Sequence, residues 1–317
     1  MPRSLMLLDT ASLYFRAFHG IPDTIRRSDG RPVNAVRGLL DMIARLVTDY
    51  EPQDLVACWD NNWRPGWRVD LVPTYKAHRV ASRGPEGDVE TVPDGLTAQI
   101  PLIRQLLTTA GIAVVGADDH EADDVLGTYA GQAGGPVDVV TGDRDLFQLI
   151  DDARHVRVLY TARGMKNLQA LTEASVVAKY QVLPSQYADY ATLRGDASDG
   201  LPGVTGIGEK TAAALLADHG TLESLLAAAG DPAGGLAAPI RAKLAAAQDY
   251  LAVAPDVVRV VRDLPLPFPE EAGAALHAPR GPARTELEAL GGQWNLGGSL
   301  TRFLAALDRY PDTGQPG

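Results

Sequence analysis

Residues 120–145 read HEADDVLGTYAGQAGGPVDVVTGDRD, and their pattern decides the kind of fold this chain adopts. Acids at Glu121, Asp123 and Asp124 open a segment, Ala122 to Ala133, whose apolar residues recur at three- and four-residue spacing, which predicts a helix. The apolar run PVDVVTGD follows and predicts a buried strand ending at Asp143, with Asp145 just beyond it. The alternation continues upstream: SLMLLD stops at Asp9, DLVACWD stops at Asp60, and IAVVGADD leads into Glu121. Helical candidates Asn34 to Tyr50 and Leu96 to Ala110 lie between these runs. Strands alternating with helices predict an α/β fold whose mainly parallel sheet is covered on both faces. Ligand crevices of such sheets lie outside the carboxyl ends of the strands, so acids at four strand ends are expected to converge.

From about Thr172 the pattern changes to helical segments, EASVVAKYQV and PSQYADYATL, then Ala-rich stretches from Thr211 to Ala229 and Ile240 to Val253. The Gly/Pro-rich residues 230–239 predict a surface connection, and residues 308–317 a frayed tail. With 317 residues, 45% of them hydrophobic, the chain can bury a sizeable core as one large or two ordinary domains. No basic and apolar leader opens it, and no apolar run approaches the roughly 20 residues of a bilayer span. A soluble, cytoplasmic protein is the expectation, and the lone Cys58, in an apolar run, fits a reducing compartment. The net charge of −11 does not exclude nucleic acid. Between Asn61 and Gly84, Arg64, Arg68, Lys76, Arg79 and Arg83 face a single acid, Asp70, which leaves that stretch at +4.

Nine carboxylates carry the chemistry: Asp9, Asp60, Glu121, Asp123, Asp124, Asp143, Asp145, Asp196 and Asp199. These hard oxygen ligands suit Mg²⁺ or Mn²⁺, and no Cys or His cluster competes for zinc. Two such ions about 4 Å apart clamp the attacking and leaving oxygens of a phosphoryl displacement and ionise the water nucleophile. Taken singly, each acid has an ordinary explanation. Asp9 and the acids of HEADD can serve helix termini, and those of TGDRD and GDASDG can serve turns and caps. In GDASDGLPGVTGIGEKTAAALL, Gly203, Gly206 and Gly208 precede a helix-forming run, a hairpin whose backbone N–H groups can hold a phosphate. A P-loop is ruled out because Glu209 separates Gly208 from Lys210. In NNWRPGWRVDLVPTYKAHR, Trp63, Trp67 and Tyr75 offer stacking faces beside basic side chains, a mixture suited to single-stranded nucleic acid.

Together LLDTASLYFRAFHG, the WD of ACWD, VPTYKAHR, EADDVLGT, VVTGDRDLFQL and GDASDGLPGVTGIGEKTA resemble the bacterial 5′ nuclease (flap endonuclease) family, which includes the N-terminal domain of DNA polymerase I. The likeness runs from about Leu5 to Leu307, and WNLGGSLTRFLAAL is similar to the closing segment of the polymerase-linked domains, with no polymerase expected after it. The resemblance implies a PIN-like nuclease core over residues 1–171 with a helical arch at about 61–95. It also implies a helical DNA-binding region over 172–307 with a helix-hairpin-helix at about 190–218. All nine acids would be metal ligands, Asp9, Asp60, Glu121, Asp123, Asp124 and Asp143 mainly in the first site and Asp145, Asp196 and Asp199 in the second. Lys76 and Arg79, with Asp143 and Asp145, would be catalytic, the two cations steadying the scissile phosphate. Arg68, Tyr75, Lys76, Arg79, Gly203, Gly206, Gly208, Lys210 and Thr211 would contact DNA, with K⁺ at the hairpin.

The implied activity is metal-dependent hydrolysis of DNA bearing a 5′ end or flap, nick or gap, including RNA-primed strands, in replication and repair. A monomer in the nucleoid, cooperating with a separate polymerase and ligase, is expected. The chain departs from the family at Gly200, where Asn is common, at Trp67, where Phe is common, and in the Gly- and Pro-containing stretch 80–95. A DNA-structure binder without catalysis would show gaps among the acids, and none is missing. A haloacid-dehalogenase-type phosphatase would need Asp-x-Asp after the first strand, where Asp9 is followed by Thr10 and Ala11.

Overall fold

The computed structural model describes residues 2–84, 87–231 and 233–311. The chain enters as strand β1 (Leu5–Asp9), turns at once into α1 (Thr10–Gly20), and returns through α2 (Asn34–Tyr50) to β2 (Asp54–Cys58). Then come α3 (Gly66–Leu71), β3 (Val80–Gly84), β4 (Gly87–Glu90), α4 (Asp94–Thr97), α5 (Gln99–Thr109) and β5 (Ala113–Val115). The deciding segment supplies α6 (Ala122–Gln132) and β6 (Val137–Thr141), followed by β7 (Val156–Tyr160) and β8 (Gln169–Leu171). The main sheet has the order β5-β2-β1-β6-β7-β8, and only the β7–β8 pairing is antiparallel. The chain therefore winds outward from β1 in one direction to β2 and β5, and in the other from β6 to β7. The switch point, where the carboxyl ends splay apart, falls between β1 and β6.

Side chains of β1 alternate between two cores, as a strand of period two requires. Leu5 and Leu7 join the α6 side, while Met6 and Leu8 join the α1 and α2 side. α2 buries Val36, Leu39, Leu40, Ile43 and Val47, the helical spacing read from sequence, and stops where Glu51 turns left-handed at φ 47°. The C-terminal half is helical as expected, through α7 (Glu173–Tyr180), α8 (Tyr187–Arg194), α9 (Glu209–His219), α10 (Leu222–Gly230), α11 (Ala238–Ala246), α12 (Gln248–Leu251) and α13 (Ala254–Val258). α8 and α9 pack against each other across the connection in which a helix-hairpin-helix is expected. No helix among the described residues is long and apolar enough to cross a membrane.

Three expectations need correction. The segment at about 61–95 is not a helical arch: after the six-residue α3, β3 and β4 pair as an antiparallel hairpin. Gly84 and Gly87 disfavour a continuous helix, and Val80 and Val89 favour extended backbone. An isolated hairpin is marginal in water. This one is pinned near its turn by buried Arg64, which pairs with Asp88 and donates to the carbonyls of Tyr75 (2.5 Å) and Pro73 (3.1 Å) in the preceding segment. Secondly, the region 172–307 is not one helical body. Its last helices, α14 (Gly281–Gln293) and α15 (Gly297–Leu307), return to the nuclease core. There Leu287, Leu300, Phe303 and Leu307 enter the core of α2 and α5. Each such side chain contributes roughly 1.5–3 kcal/mol of burial, so the apolar spacing of SLTRFLAAL explains the docking. Thirdly, the tail does not begin at 308: Asp308 pairs with Arg280 (2.7 Å) and Arg284 (3.0 Å), and residues 312–317 lie outside the described residues.

Candidate active site

The acids arrive at the switch point by local rules. Asp9 ends β1 and caps α1, its Oδ1 accepting from the Ser12 N–H (3.1 Å) while Oδ2 accepts from the Thr141 hydroxyl (2.6 Å) at the end of β6. Helix cap and cleft acid are one side chain. Asp60, two residues past β2, accepts from the Ala122 N–H (2.7 Å) and so ties the second strand end to the start of α6. Glu121 and Asp124 form the capping box of α6, and Asp123 between them makes no hydrogen bond or ion pair among the described residues. Asp143 accepts from the Asp145 N–H (2.9 Å), and its own N–H donates to Thr141 (2.8 Å).

Asp9, Asp60, Glu121, Asp123 and Asp143 line one open cleft with Lys76 and Arg79, while Asp145 and Asp199 line a smaller recess behind it that shares Glu121 and Asp123. Among the described residues, however, no three carboxylate, imidazole or thiol groups stand as a ready metal-binding set. The nine acids do not close into one cage, and the physical reason is internal neutralisation. The guanidinium of Arg68, buried in the fold, forks onto Asp124 (2.6 and 2.8 Å) and also meets Glu121 (2.8 Å). Glu121 further accepts from the Tyr75 hydroxyl (2.6 Å) and pairs with Lys76. Asp124 is wholly buried and also accepts from the Glu121 (3.2 Å) and Val261 (2.9 Å) N–H groups, so no oxygen faces the cleft. Arg68 thus holds both oxygens of this expected metal ligand. Asp196 is held by Arg194 (3.0 Å), Arg144 (3.4 Å) and the Ser198 N–H (2.9 Å). Burial pushes its carboxyl up, but the Ser198 bonds and the two arginines outweigh burial and hold it below the ordinary value.

Of the remaining acids only Asp199 has a cation partner among the described residues, Arg79 at 3.1 Å. Burial, with repulsion from Asp60 and Asp143, pushes Asp9 up to about 7 against its bonds to Thr141 and Ser12. Burial and its acidic neighbours push Asp60, Asp123 and Asp145 up as well. Burial pushes Asp199 up to about 6 although Lys76 and Arg79 oppose the rise. Asp145 Oδ1 is buried with no hydrogen-bond partner. An all-oxygen set, mutually repelling and carrying an orphaned buried oxygen, fits hard divalent cations.

Of the residues expected to touch DNA, Arg68 (2% exposed) and Tyr75 (4%) are buried and serve Glu121 and Asp124 instead, a correction set by their acidic neighbours. Trp63 and Trp67 donate their ring N–H groups to the carbonyls of Asp88 (2.9 Å) and Asp119 (3.0 Å), and Arg68 stacks on Trp67. Gly203 is buried too: at φ 66°, an added Cβ would stand 2.5 Å from the Gly195 nitrogen. Gly206, Gly208 and Lys210 are exposed and Thr211 half-buried, with Gly208 capping the amino end of α9. Sequence reading missed Arg16, which lines the cleft, donates to the Ala162 carbonyl (3.0 Å) and has a buried, unpartnered Nε. The signal was its place two helical turns after Asp9. Thr141, bridging Asp9 and Asp143, was also missed, though it directly precedes GDRD.

Comparison with known proteins gives this geometry its context. Residues 4–181 match the family described as 5′-3′ exonuclease, N-terminal resolvase-like domain, and residues 182–280 match its C-terminal SAM fold. The chain is 59% identical over 304 residues to a 5′-3′ exonuclease of Streptomyces coelicolor, covering 95% of this chain and 99% of that one. It is 48% identical over 320 residues to a 5′-3′ exonuclease of Mycobacterium tuberculosis, covering 98% and 100%. A DNA polymerase I of Mycobacterium bovis matches at 39% over 83% of this chain and 28% of that polymerase. Among solved structures, a zinc-bound T5 5′-exonuclease superposes with a TM-score of 0.64 at 17% identity, covering 96% of this chain and 98% of that one. Flap endonuclease-1 from Methanococcus jannaschii superposes at 0.57 and 14% identity, covering 97% and 93%. These last two share the fold. The converging strand-end acids, the cations set over them and matches spanning residues 4–280 place the chain in the 5′-3′ exonuclease family of nucleases.

Proposed function

We propose that this chain hydrolyses phosphodiesters near a free or flapped 5′ end of duplex DNA, leaving a 5′ phosphate and a 3′ hydroxyl. The observation that carries the reading is the set of uncompensated carboxylates at the switch point, with Lys76 and Arg79 lining the same cleft. Asp9, Asp60, Asp123 and Asp143 would hold one divalent cation and Asp145 with Asp199 a second. When bound, such cations ionise a water and neutralise charge on the phosphate oxygens; Mg²⁺ or Mn²⁺ suits the oxygen donors.

The protein's own part is positioning. Lys76 and Arg79 would meet the negative charge that develops on the scissile phosphate. Thr141, through its bonds to Asp9 and the Asp143 N–H, keeps two strand-end acids in fixed register. The exposed backbone at Gly206 and Gly208, with Lys210 and Thr211 at the start of α9, would grip duplex phosphates, with K⁺ at the hairpin. Asp196, neutralised here by Arg144 and Arg194, and Asp124, held by Arg68, act in this reading as supports. The working setting is the nucleoid, on flapped, nicked or gapped DNA that can be RNA-primed, beside a separate polymerase and ligase, as a monomer. The test is Asp145→Asn on a 5′-flap duplex in Mn²⁺: cleavage should fall steeply, and undiminished cleavage would end the two-cation reading.

A further inference from the structure

The connection between α8 and α9 is met by a cation from a later helix. Val204 and Ile207 bury into the main core, and the Ile207 N–H donates to the Val204 carbonyl (2.9 Å), so the exposed tip is Thr205 and Gly206. At that tip the Lys243 ammonium, 37 residues further along the chain, donates to the Gly206 carbonyl (2.8 Å). α11 supplies it. Leu244 is buried in the same core and Ile240 packs against it, which fastens the helix and leaves Lys243 to reach across. Gly206 is left-handed at φ 78°, and a Cβ there would lie 2.9 Å from Lys243 Nζ, so the ammonium stands where a side chain would crowd it.

The peptide unit joining Gly206 to Ile207 is therefore held at both polar atoms, its N–H by Val204 and its carbonyl by Lys243. The N–H groups of Gly206 and Gly208, on either side of it, have no acceptor among the described residues. Lys243 has no carboxylate partner among them either, and only one of its three donors is engaged. A glycine peptide released from such a hold turns over at little cost, and its carbonyl oxygen would then oppose a phosphate oxygen.

We propose that Lys243 is a positioning residue of the duplex grip and supplies that grip with a fixed positive charge. By holding the Gly206 carbonyl it keeps the flanking N–H groups available to a backbone phosphate of duplex DNA, and its unused donors meet the same phosphate. The phosphate contact rests on the duplex-binding reading above; the hold on Gly206 does not.

The test compares wild type with Lys243→Met, which keeps an unbranched stem but removes charge and donors, and with Lys243→Arg, which returns both. Lys179→Met, at an exposed lysine of α7, is the control. The first readout is residue-resolved hydrogen exchange in DNA-free protein. Exchange at the Ile207 N–H should be about tenfold faster in Lys243→Met, and unchanged within about threefold in Lys243→Arg and Lys179→Met, because a charge-assisted bond no longer restrains local opening. The second is binding of blunt duplex in EDTA, with NaCl titrated over a constant KCl concentration. The slope of log K against log salt should be less steep by about 0.9 in Lys243→Met, the loss of one phosphate contact, and equally so for duplexes of unrelated sequence. Lys243→Arg should restore the wild-type slope, which a merely structural role for the side chain would not require. Either readout staying at the wild-type value in Lys243→Met overturns the proposal. If the wild type binds no duplex, the duplex-binding reading fails separately, and exchange at Ile207 alone decides whether Lys243 holds the connection.

Discussion

Asp123 and Asp124 are adjacent on one helical turn, yet they belong to different electrostatic regions. Asp123 faces the cleft with no partner, in the company of Asp9 and Asp143, and is pushed up by burial and like charge. Asp124 points the other way into the fork of Arg68, wholly buried and fully bonded. The first region waits for positive charge from outside; the second carries its own. Position in the first turn of α6 is therefore insufficient to leave a carboxylate free for an ion, because what decides is whether the fold supplies a cation.

The strongest way to break this comparison is to neutralise one acid of the cleft. Asp123→Asn should lower single-turnover cleavage by on the order of 10²–10³-fold, as for loss of one preorganised electrostatic group. It should also raise the urea midpoint of the metal-free protein, because a repelling buried charge is gone. A lowered midpoint would move Asp123 into the compensated region. The complementary substitution acts on stability instead. Arg68→Ala leaves Asp124 buried without its cation and should cost about 3–5 kcal/mol in equilibrium unfolding; a loss below about 1 kcal/mol would show that Asp124 does not depend on it. Lys76→Ala sharpens the border between the regions, since Lys76 pairs with Glu121 yet lines the cleft. Its single-turnover rate should fall roughly 10–100-fold with binding less affected, and equal losses in both would make Lys76 a binding residue only.

The smallest expected effect is in pH. Asp9, held at about 7 in the fold, keeps a proton that the unfolded chain has released by about pH 5. Stability of the metal-free protein should therefore fall as pH rises from about 4 to 7, by roughly 1–3 kcal/mol, and level off above that window. Mg²⁺ or Mn²⁺ added at pH 7.5 should restore it. Melting curves with EDTA and with metal check both signs, and a metal-free protein that gains stability over the same range would contradict the account of the cleft.

Local order was well announced by the chain. The strand ending at Asp9, the strand ending two residues before Asp60, the span of α2 from Asn34 to Tyr50 and the start of α6 at Ala122 follow the hydrophobic periodicity. Short-range geometry explains this, for a strand alternates and a helix repeats regardless of what packs on it. Of the nine acids read from sequence, Asp9, Asp60, Glu121, Asp123 and Asp143 line the cleft with the two cations Lys76 and Arg79, while the pairings that set their roles were not legible. Nothing in YKAHR tells that Lys76 meets Glu121, nor in WRVDL that Arg68 turns inward, because each pairing spans more than 40 residues of sequence. The arch was misread for a related reason, since its hairpin is marginal alone and holds through Arg64.

What the sequence by itself determined is the alternating α/β architecture and the acids just beyond the strands, both written in residue type and spacing. What only the tertiary structure decided is which acids are left bare and which are answered by Arg68, Arg144 or Arg194. Charge compensation and steric fit depend on distance through space, and the chain order does not encode that distance until the sheet has brought its edges together.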